Sequence, residues 1–194
     1  MKLLRLTVFT LVLSLNLCAQ NYKWFVNLNY PITIDKNFIG ENYTGFIDLG
    51  LRYYLAEFEY LSLGASFNTS ILANNDNLDI TSLGNYKAIA FGLQPKITIL
   101  GKIPTLEVLH PFLGVGYSFY LFSITGVNPG LGIVENGETL SGLSFNGGFD
   151  IDISDHVIIH LEYYFTRLQR SNLVPDTRYN KNINLVKLGA GYRF

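Results

Sequence analysis

GFIDLGLRYYL, residues 45–55, reads by twos. Ile47, Leu49, Leu51, Tyr53 and Leu55 fall in one row, and Phe46, Asp48, Gly50, Arg52 and Tyr54 in the other. A helix would scatter both sets around its axis, because side chains share a helix face only three or four residues apart. A strand keeps the rows apart, so the stretch predicts a β-strand with one apolar face and one face of small and charged residues.

The same period returns along the chain. In YKWFVNLNYPITI (22–34), Trp24, Val26, Leu28 and Tyr30 oppose Lys23, Asn27 and Asn29. In YLSLGASFN (60–68), Leu61, Leu63, Ala65 and Phe67 oppose Ser62, Gly64, Ser66 and Asn68. AIAFGLQPKITI (88–99), LGVGYSFYL (113–121), LSFNGGFDIDI (143–153) and IHLEYYFT (159–166) repeat the pattern. The terminal VKLGAGYRF (186–194) sets Val186, Leu188, Ala190, Tyr192 and Phe194 against Lys187, Gly189, Gly191 and Arg193, which makes eight segments.

Composition says where the oil must go. Of the 194 residues 48% are hydrophobic and only 15% charged, where about 25% charged is usual for a soluble domain. The opening MKLLRLTVFTLVLSLNLCAQ carries Lys2 and Arg5, an apolar stretch from Leu6 to Leu17 and a small Ala19. That is the layout of a secretory signal peptide, with cleavage expected after residue 19 or 20. Leu17 before Cys18 is not the small residue a lipoprotein signal needs. Residues 20–194 are then expected to be one domain without cysteine, so no thiolate site is available. Removing Lys2 and Arg5 takes the basic count from 14 to 12 against 15 acidic residues, a net charge of −3, and no basic field for nucleic acid is expected. NNDNLD (74–79) lacks the Gly and terminal Glu of an EF-hand loop, and no metal or cofactor is expected.

Beyond residue 20 no apolar run approaches the roughly 20 residues of a membrane helix. Alternation alone allows two solutions: a soluble barrel with the apolar row inside, enclosing a lipid-like ligand, or a membrane barrel with that row outside. The second row decides. Facing water it should be crowded with Lys and Glu, whereas it holds Gly, Ala, Ser, Asn and isolated charges of both signs, which suit a narrow filled lumen. Trp24, Tyr30, Tyr53, Tyr117, Tyr163, Tyr192 and Phe194 fall near segment ends, where membrane barrels place aromatic girdles. Connections alternate between long polar stretches (DKNFIGENYT, ANNDNLDITSLGN, SITGVNPGLGIVENGETL, QRSNLVPDTRYNKN) and short ones (AEFE, GKIPTLEV, SDH). The expectation is therefore an all-β, eight-stranded antiparallel up-and-down transmembrane β-barrel, with both chain ends on the short-turn, periplasmic side.

The inward row carries Lys23, Arg52, Lys96, Lys187 and Arg193 against Asp48, Asp150, Asp152 and Glu162. Such balance in a lumen just wide enough for side chains predicts an ion-pair network. A catalytic pair at Asp150 and Asp152 with His160 is the rival reading, and no nucleophile completes it.

From residue 20 onward the chain resembles the small OmpA/OmpX-like outer-membrane barrel family of Gram-negative bacteria. In KLGAGYRF, Gly189, Tyr192 and Phe194 are similar to the C-terminal signal by which the barrel-assembly machinery recognises its clients. The resemblance implies an integral outer-membrane protein, without enzyme activity, monomeric, and in contact with outer-membrane lipids and lipopolysaccharide. It implies a structural or surface-interaction role through four long extracellular loops toward a partner of unknown identity. Phe38, Ile39 and Tyr43 in the first loop and Leu131, Ile133 and Val134 in the third are either contact points or packed on neighbouring loops. Two alternatives remain: a small porin-like channel, and a lipid A deacylase. The deacylases carry a His-x-Ser-Asn type motif, which QRSNLVPD matches at Ser171 and Asn172, but Gln169 stands where the base belongs and cannot take a proton. His160 lies nine residues away, about 30 Å along a strand.

Overall fold

The computed structural model describes residues 23–74, 86–128, 132–169 and 177–194; the expected signal peptide (1–19) and residues 75–79 of NNDNLD lie outside these. Eight strands follow in chain order: β1 (Trp24–Thr33), β2 (Tyr43–Glu57), β3 (Leu61–Asn74), β4 (Tyr86–Gly101), β5 (Leu109–Asn128), β6 (Gly132–Asp152), β7 (Val157–Leu168) and β8 (Asn182–Arg193). Two short helices, α1 (Phe38–Asn42) and α2 (Arg178–Lys181), precede β2 and β8. Each strand pairs antiparallel with the next, and β8 returns to pair with β1 from Phe25↔Arg193 to Thr33↔Leu185, closing the barrel. Closure is what hydrocarbon demands, since an unpaired backbone group there costs several kcal/mol. At the seam the Trp24 N–H donates to the Phe194 carbonyl at 3.0 Å, and the Phe194 N–H to the Trp24 carbonyl at 2.9 Å.

The apolar row faces out. Leu28, Leu49, Ile99 and Leu113 are 50–72% exposed, whereas Asp48, Ser70, Gln94, Asp150 and Lys187 are completely buried. A soluble barrel would show the reverse, so the ligand-enclosing alternative fails on this geometry. The Trp24 and Tyr53 rings meet at 4.6 Å, tilted by 49°, and Tyr192 lies beside His156 and Phe194, forming the aromatic rim of the short-turn end.

Two departures from the simple alternation have local causes. Between Gly45 and Ile47 the β2–β3 register jumps, Gly45 facing Leu72 and Ile47 facing Ile71. This β-bulge inserts one unpaired residue, and that residue, Phe46, points outward at 69% exposure rather than into the lumen row. The stretch 123–140, expected as a long loop, is mostly strand: β5 runs on to Asn128 and β6 starts at Gly132, paired from Ser123↔Gly137 to Asn128↔Gly132. The pair continues past the end of β7, whose last partner on β6 is Gly142, flanked by β4 as far as Tyr86↔Gly126 and as a two-stranded ribbon from Val127↔Ile133 to Asn128↔Gly132. Backbone pairing forms it, and its glycines hide the side-chain period.

The lumen is built in three layers. At the long-loop end Ile39, Tyr43, Leu72, Ala88, Ala90, Tyr120, Leu140, Tyr164, Leu168, Ile183 and Leu185 form an apolar core. At the short-turn end Phe25, Tyr54, Leu100, Phe112 and Ile158 form a second. Polar and charged side chains fill the space between. The first long loop contributes to the plug. Asn37 caps α1, its side chain accepting from the Gly40 N–H at 2.8 Å, and the helix turns Ile39 inward so that Ile39 and Tyr43 are each 2% exposed. Of the first-loop candidates, Ile39 and Tyr43 are therefore core, and Phe38 packs partly against them. Leu131 lies outside the described residues, and Ile133 and Val134 belong to β6.

Candidate functional site

The middle layer contains most of the charges expected inside. Asp48 on β2 accepts from Asn29 and Asn68 at 2.8 Å on Oδ1, and from Lys187 at 2.8 Å and the Ser70 hydroxyl on Oδ2. The Lys187 ammonium also donates to Gln94 Oε1 at 2.7 Å and lies 3.5 Å from Glu162. Glu162 is held by both Lys96, at 3.1 Å to each oxygen, and Asn146, at 3.1 Å. On its other side His160 Nε2 lies 3.5 Å away, while His160 Nδ1 is 2.6 Å from Asp150 Oδ1 and Arg52 bonds Asp150 Oδ2 at 2.6 Å. Asp48, Lys187, Glu162, His160, Asp150 and Arg52 thus form one connected chain across the lumen.

Aromatic rings serve as the network's walls. The Arg52 guanidinium lies between Phe25 and Phe112, 5.1 and 4.9 Å from the ring centres, and Lys187 sits 4.8 Å from the Tyr164 ring. Cations in a dry site gain from ring faces in this way, by about 2 kcal/mol when desolvated. His160 stacks on Phe112 with centroids 5.2 Å apart and planes within 8°.

Three of the expected members are placed elsewhere. Asp152 and Arg193 pair with each other at 3.1 Å near the short-turn rim, where His110 also approaches Asp152 at 3.0 Å. Lys23 precedes β1 and is exposed, outside the lumen altogether. The rival catalytic pair is consequently split: Asp150 belongs to the belt and Asp152 to the rim. Among the described residues, the side-chain oxygens within 3.5 Å of the His160 ring nitrogens are those of Asp150 and Glu162, both carboxylates, and no hydroxyl stands with them. A lumen cavity lined by Phe25, Asn27, Arg52, Asn68, Lys96, His160 and Glu162 measures about 10 Å³, room for about one water. Sequence reasoning missed Asn29, Asn68, Ser70, Gln94 and Asn146 as members, although each stands in an inward row. A neutral amide has no charge to advertise a partner, so its row position was the available signal.

Packing is tight enough to need glycine. A Cβ on Gly92 would lie 2.7 Å from the Tyr120 ring, so the large inward tyrosine requires an empty position on the neighbouring strand.

The terminal residues cited for the assembly signal sit at the seam. Gly189 faces Asn29 across β1, Tyr192 is 43% exposed on the outer face, and Phe194 makes the two backbone bonds to Trp24. On the enzyme alternative, Gln169 directly follows β7, its N–H donating to the Ser141 carbonyl at 2.6 Å, while Ser171 and Asn172 lie outside the described residues.

The family described as "Outer membrane protein beta-barrel domain" matches residues 7–194. The chain belongs to that family. As an outer-membrane β-barrel protein it is integral to the bacterial outer membrane. Among solved structures it resembles Ail, the attachment invasion locus protein of Yersinia pestis, in a complex with sucrose octasulfate (13% identity, 89% of this chain and 97% of that one, TM-score 0.58). It also resembles a major outer membrane protein of Thermus thermophilus (13%, 88% and 99%, 0.56) and OprG of Pseudomonas aeruginosa (13%, 89% and 96%, 0.52). At these identities the likeness is one of fold. No curated protein matches the sequence.

Proposed function

We propose that this outer-membrane barrel is a non-enzymatic, non-conducting scaffold that presents a surface platform outside the cell. The carrying observation is the lumen in three layers: a water path would have to cross two apolar cores, with Tyr120 and Tyr164 at 0% exposure in the outer one, and a belt of mutually bonded charges between them. The platform is formed by the first and last long loops. Tyr179 on α2 donates to Glu41 of α1 at 2.8 Å and meets the Phe38 ring edge-on at 6.4 Å, yet it remains 41% exposed. A rigid, half-exposed tyrosine is a good anchor for a protein or glycan partner. The Ail complex is with a heparin analogue; here the exposed charges of the helices and their flanks are Asp35, Lys36, Glu41 and Arg178, mixed in sign rather than the basic field that a polysulfate favours.

Two measurements test this reading against its rivals. Purified refolded protein in planar bilayers is expected to give no reproducible unitary conductance, and a stable step would promote the channel. Lipid A extracted from expressing cells is expected to keep its mass, and loss of an acyl chain would promote the deacylase.

A further inference from the structure

The cavity of about 10 Å³ lies in the polar belt, between the two apolar layers. Among the described residues, two nitrogens on side chains that line it have no hydrogen-bond partner: Arg52 Nε and His160 Nε2, on residues 5% and 1% exposed. Their neighbouring atoms are committed elsewhere. Arg52 bonds Asp150 Oδ2 through Nη1, and His160 Nδ1 meets Asp150 Oδ1, each at 2.6 Å. Glu162 stands 3.5 Å from His160 Nε2, beyond the usual length of such a bond. We propose that the cavity is a binding site for a single water molecule, which accepts from the Arg52 Nε–H and bonds His160 Nε2.

The chemistry of the walls selects that ligand. Arg52 and Lys96 repel a cation and Glu162 repels an anion. The belt is also balanced already, with Arg52, Lys96 and Lys187 against Asp48, Asp150 and Glu162. An ion would add an uncompensated charge to a dry interior, whereas a neutral molecule adds none. An apolar guest would leave both nitrogens desolvated and unbonded, which is costly and more so for a charged group. Space for about one water admits nothing larger. The guanidinium Nε always carries a proton and needs an acceptor, while the imidazole nitrogen donates or accepts according to its tautomer. Water accepts from the first and serves the second in either state. The Asn27 and Asn68 amides, on the same wall, offer a third bond, within the two to four that buried waters make. The consequence is mechanical. Arg52 is on β2 and His160 on β7, strands that are not neighbours in the barrel, and the two are joined through Asp150. The water gives them a second link that bypasses this carboxylate.

The test is a crystal structure of the refolded protein at a resolution that shows ordered water, with NMR cross-relaxation between water and the Arg52 Nε–H in detergent solution. One density peak is expected, about 2.7–3.2 Å from both Arg52 Nε and His160 Nε2, together with a water contact to the Nε–H that outlives molecular tumbling. A cavity without density, a peak bonded to neither nitrogen, or side chains rearranged so that both nitrogens bond to protein would overturn the proposal. A variant adds an energetic readout. Ser66 lines the same cavity, and its hydroxyl pairs with that of Thr98 at 2.5 Å. Ser66→Thr keeps the hydroxyl and adds one methyl, close to the space that a water occupies. Filling a dry cavity would stabilise the barrel or leave it unchanged. Displacing the water is instead expected to abolish the cross-relaxation and to raise the urea unfolding constant about ten-fold, the effect of one orphaned buried group. Loss of the water signal at wild-type or higher stability would overturn the proposal as well. Should Ser66→Thr fail to refold, the two wild-type measurements decide without it.

Discussion

Replacing Lys187 by Met is expected to destabilise the barrel by about 3 kcal/mol, the lower end of the 3–5 kcal/mol range for stripping one partner from a buried ion pair. Methionine keeps the shape, so the effect isolates charge. The lost ammonium bonds Asp48 and Gln94 and lies near Glu162 and over Tyr164. Glu162 keeps Lys96 and Asn146, but Asp48 is left with neutral donors only, namely Asn29, Asn68 and Ser70. Those bonds moderate the loss without neutralising the charge. Adding Asp48→Asn should recover at least half of it, because two neutral side chains then occupy the site. The exposed pair Lys102–Glu57, at 3.2 Å, is the internal control: Lys102→Met is expected to cost under about 1 kcal/mol, as for other solvated pairs. Urea titration in lipid vesicles, followed by gel mobility, gives all three changes against the wild-type protein. If Lys187→Met matched Lys102→Met, the belt would be filler and not a structural element.

This belt shows what kind of information a single sequence carries. Strand positions and facing were legible because the bilayer enforces the two-residue period: Leu49 and Ile151 cannot turn inward without bringing Asp48 and Asp150 into oil. Wherever that enforcement lapsed, the period misled. Phe46 sits at the end of β2 where a bulge costs little, and the extra residue sent it outward. The β5–β6 ribbon continues beyond the wall, where neither face must be apolar, and so it read as loop. For Ile39 and Tyr43 the choice between contact point and packed residue stayed open, because loop polarity says nothing of which residue an α-turn folds back into the mouth. In the lumen the charges were visible but their partners were not, since pairing crosses the barrel: Arg52 reaches Asp150 and Lys96 reaches Glu162 over 98 and 66 residues. Lys23 shares the parity of that row but stands below its first turn, where the barrel has ended.

The terminal strand lets two roles be separated, and the expected results for its residues differ in kind. A Cβ at position 189 would lie 2.6 Å from the Asn29 Cα and against the Leu28 carbonyl oxygen, both parts of the β1 backbone. No rotamer change relieves that contact, so Gly189→Val must push β8 off β1 along the closing seam. The cost should be at or above the upper end of the roughly 1–3 kcal/mol typical of overpacking, and it should appear even when pure protein refolds into detergent with no other component present. Tyr192 and Phe194 are different. Tyr192 is on the outer face, and the side chain of Phe194 is not needed for its two backbone bonds to Trp24. Tyr192→Ala with Phe194→Ala should therefore refold in detergent with wild-type yield and mobility while accumulating poorly in cells, if these aromatics are read by the assembly machinery. Normal cellular levels of the double alanine variant would remove the recognition role from the two rings. Failure of that variant in detergent would instead mean that the aromatic rim stabilises the seam itself, as a wedge at the point where the sheet closes.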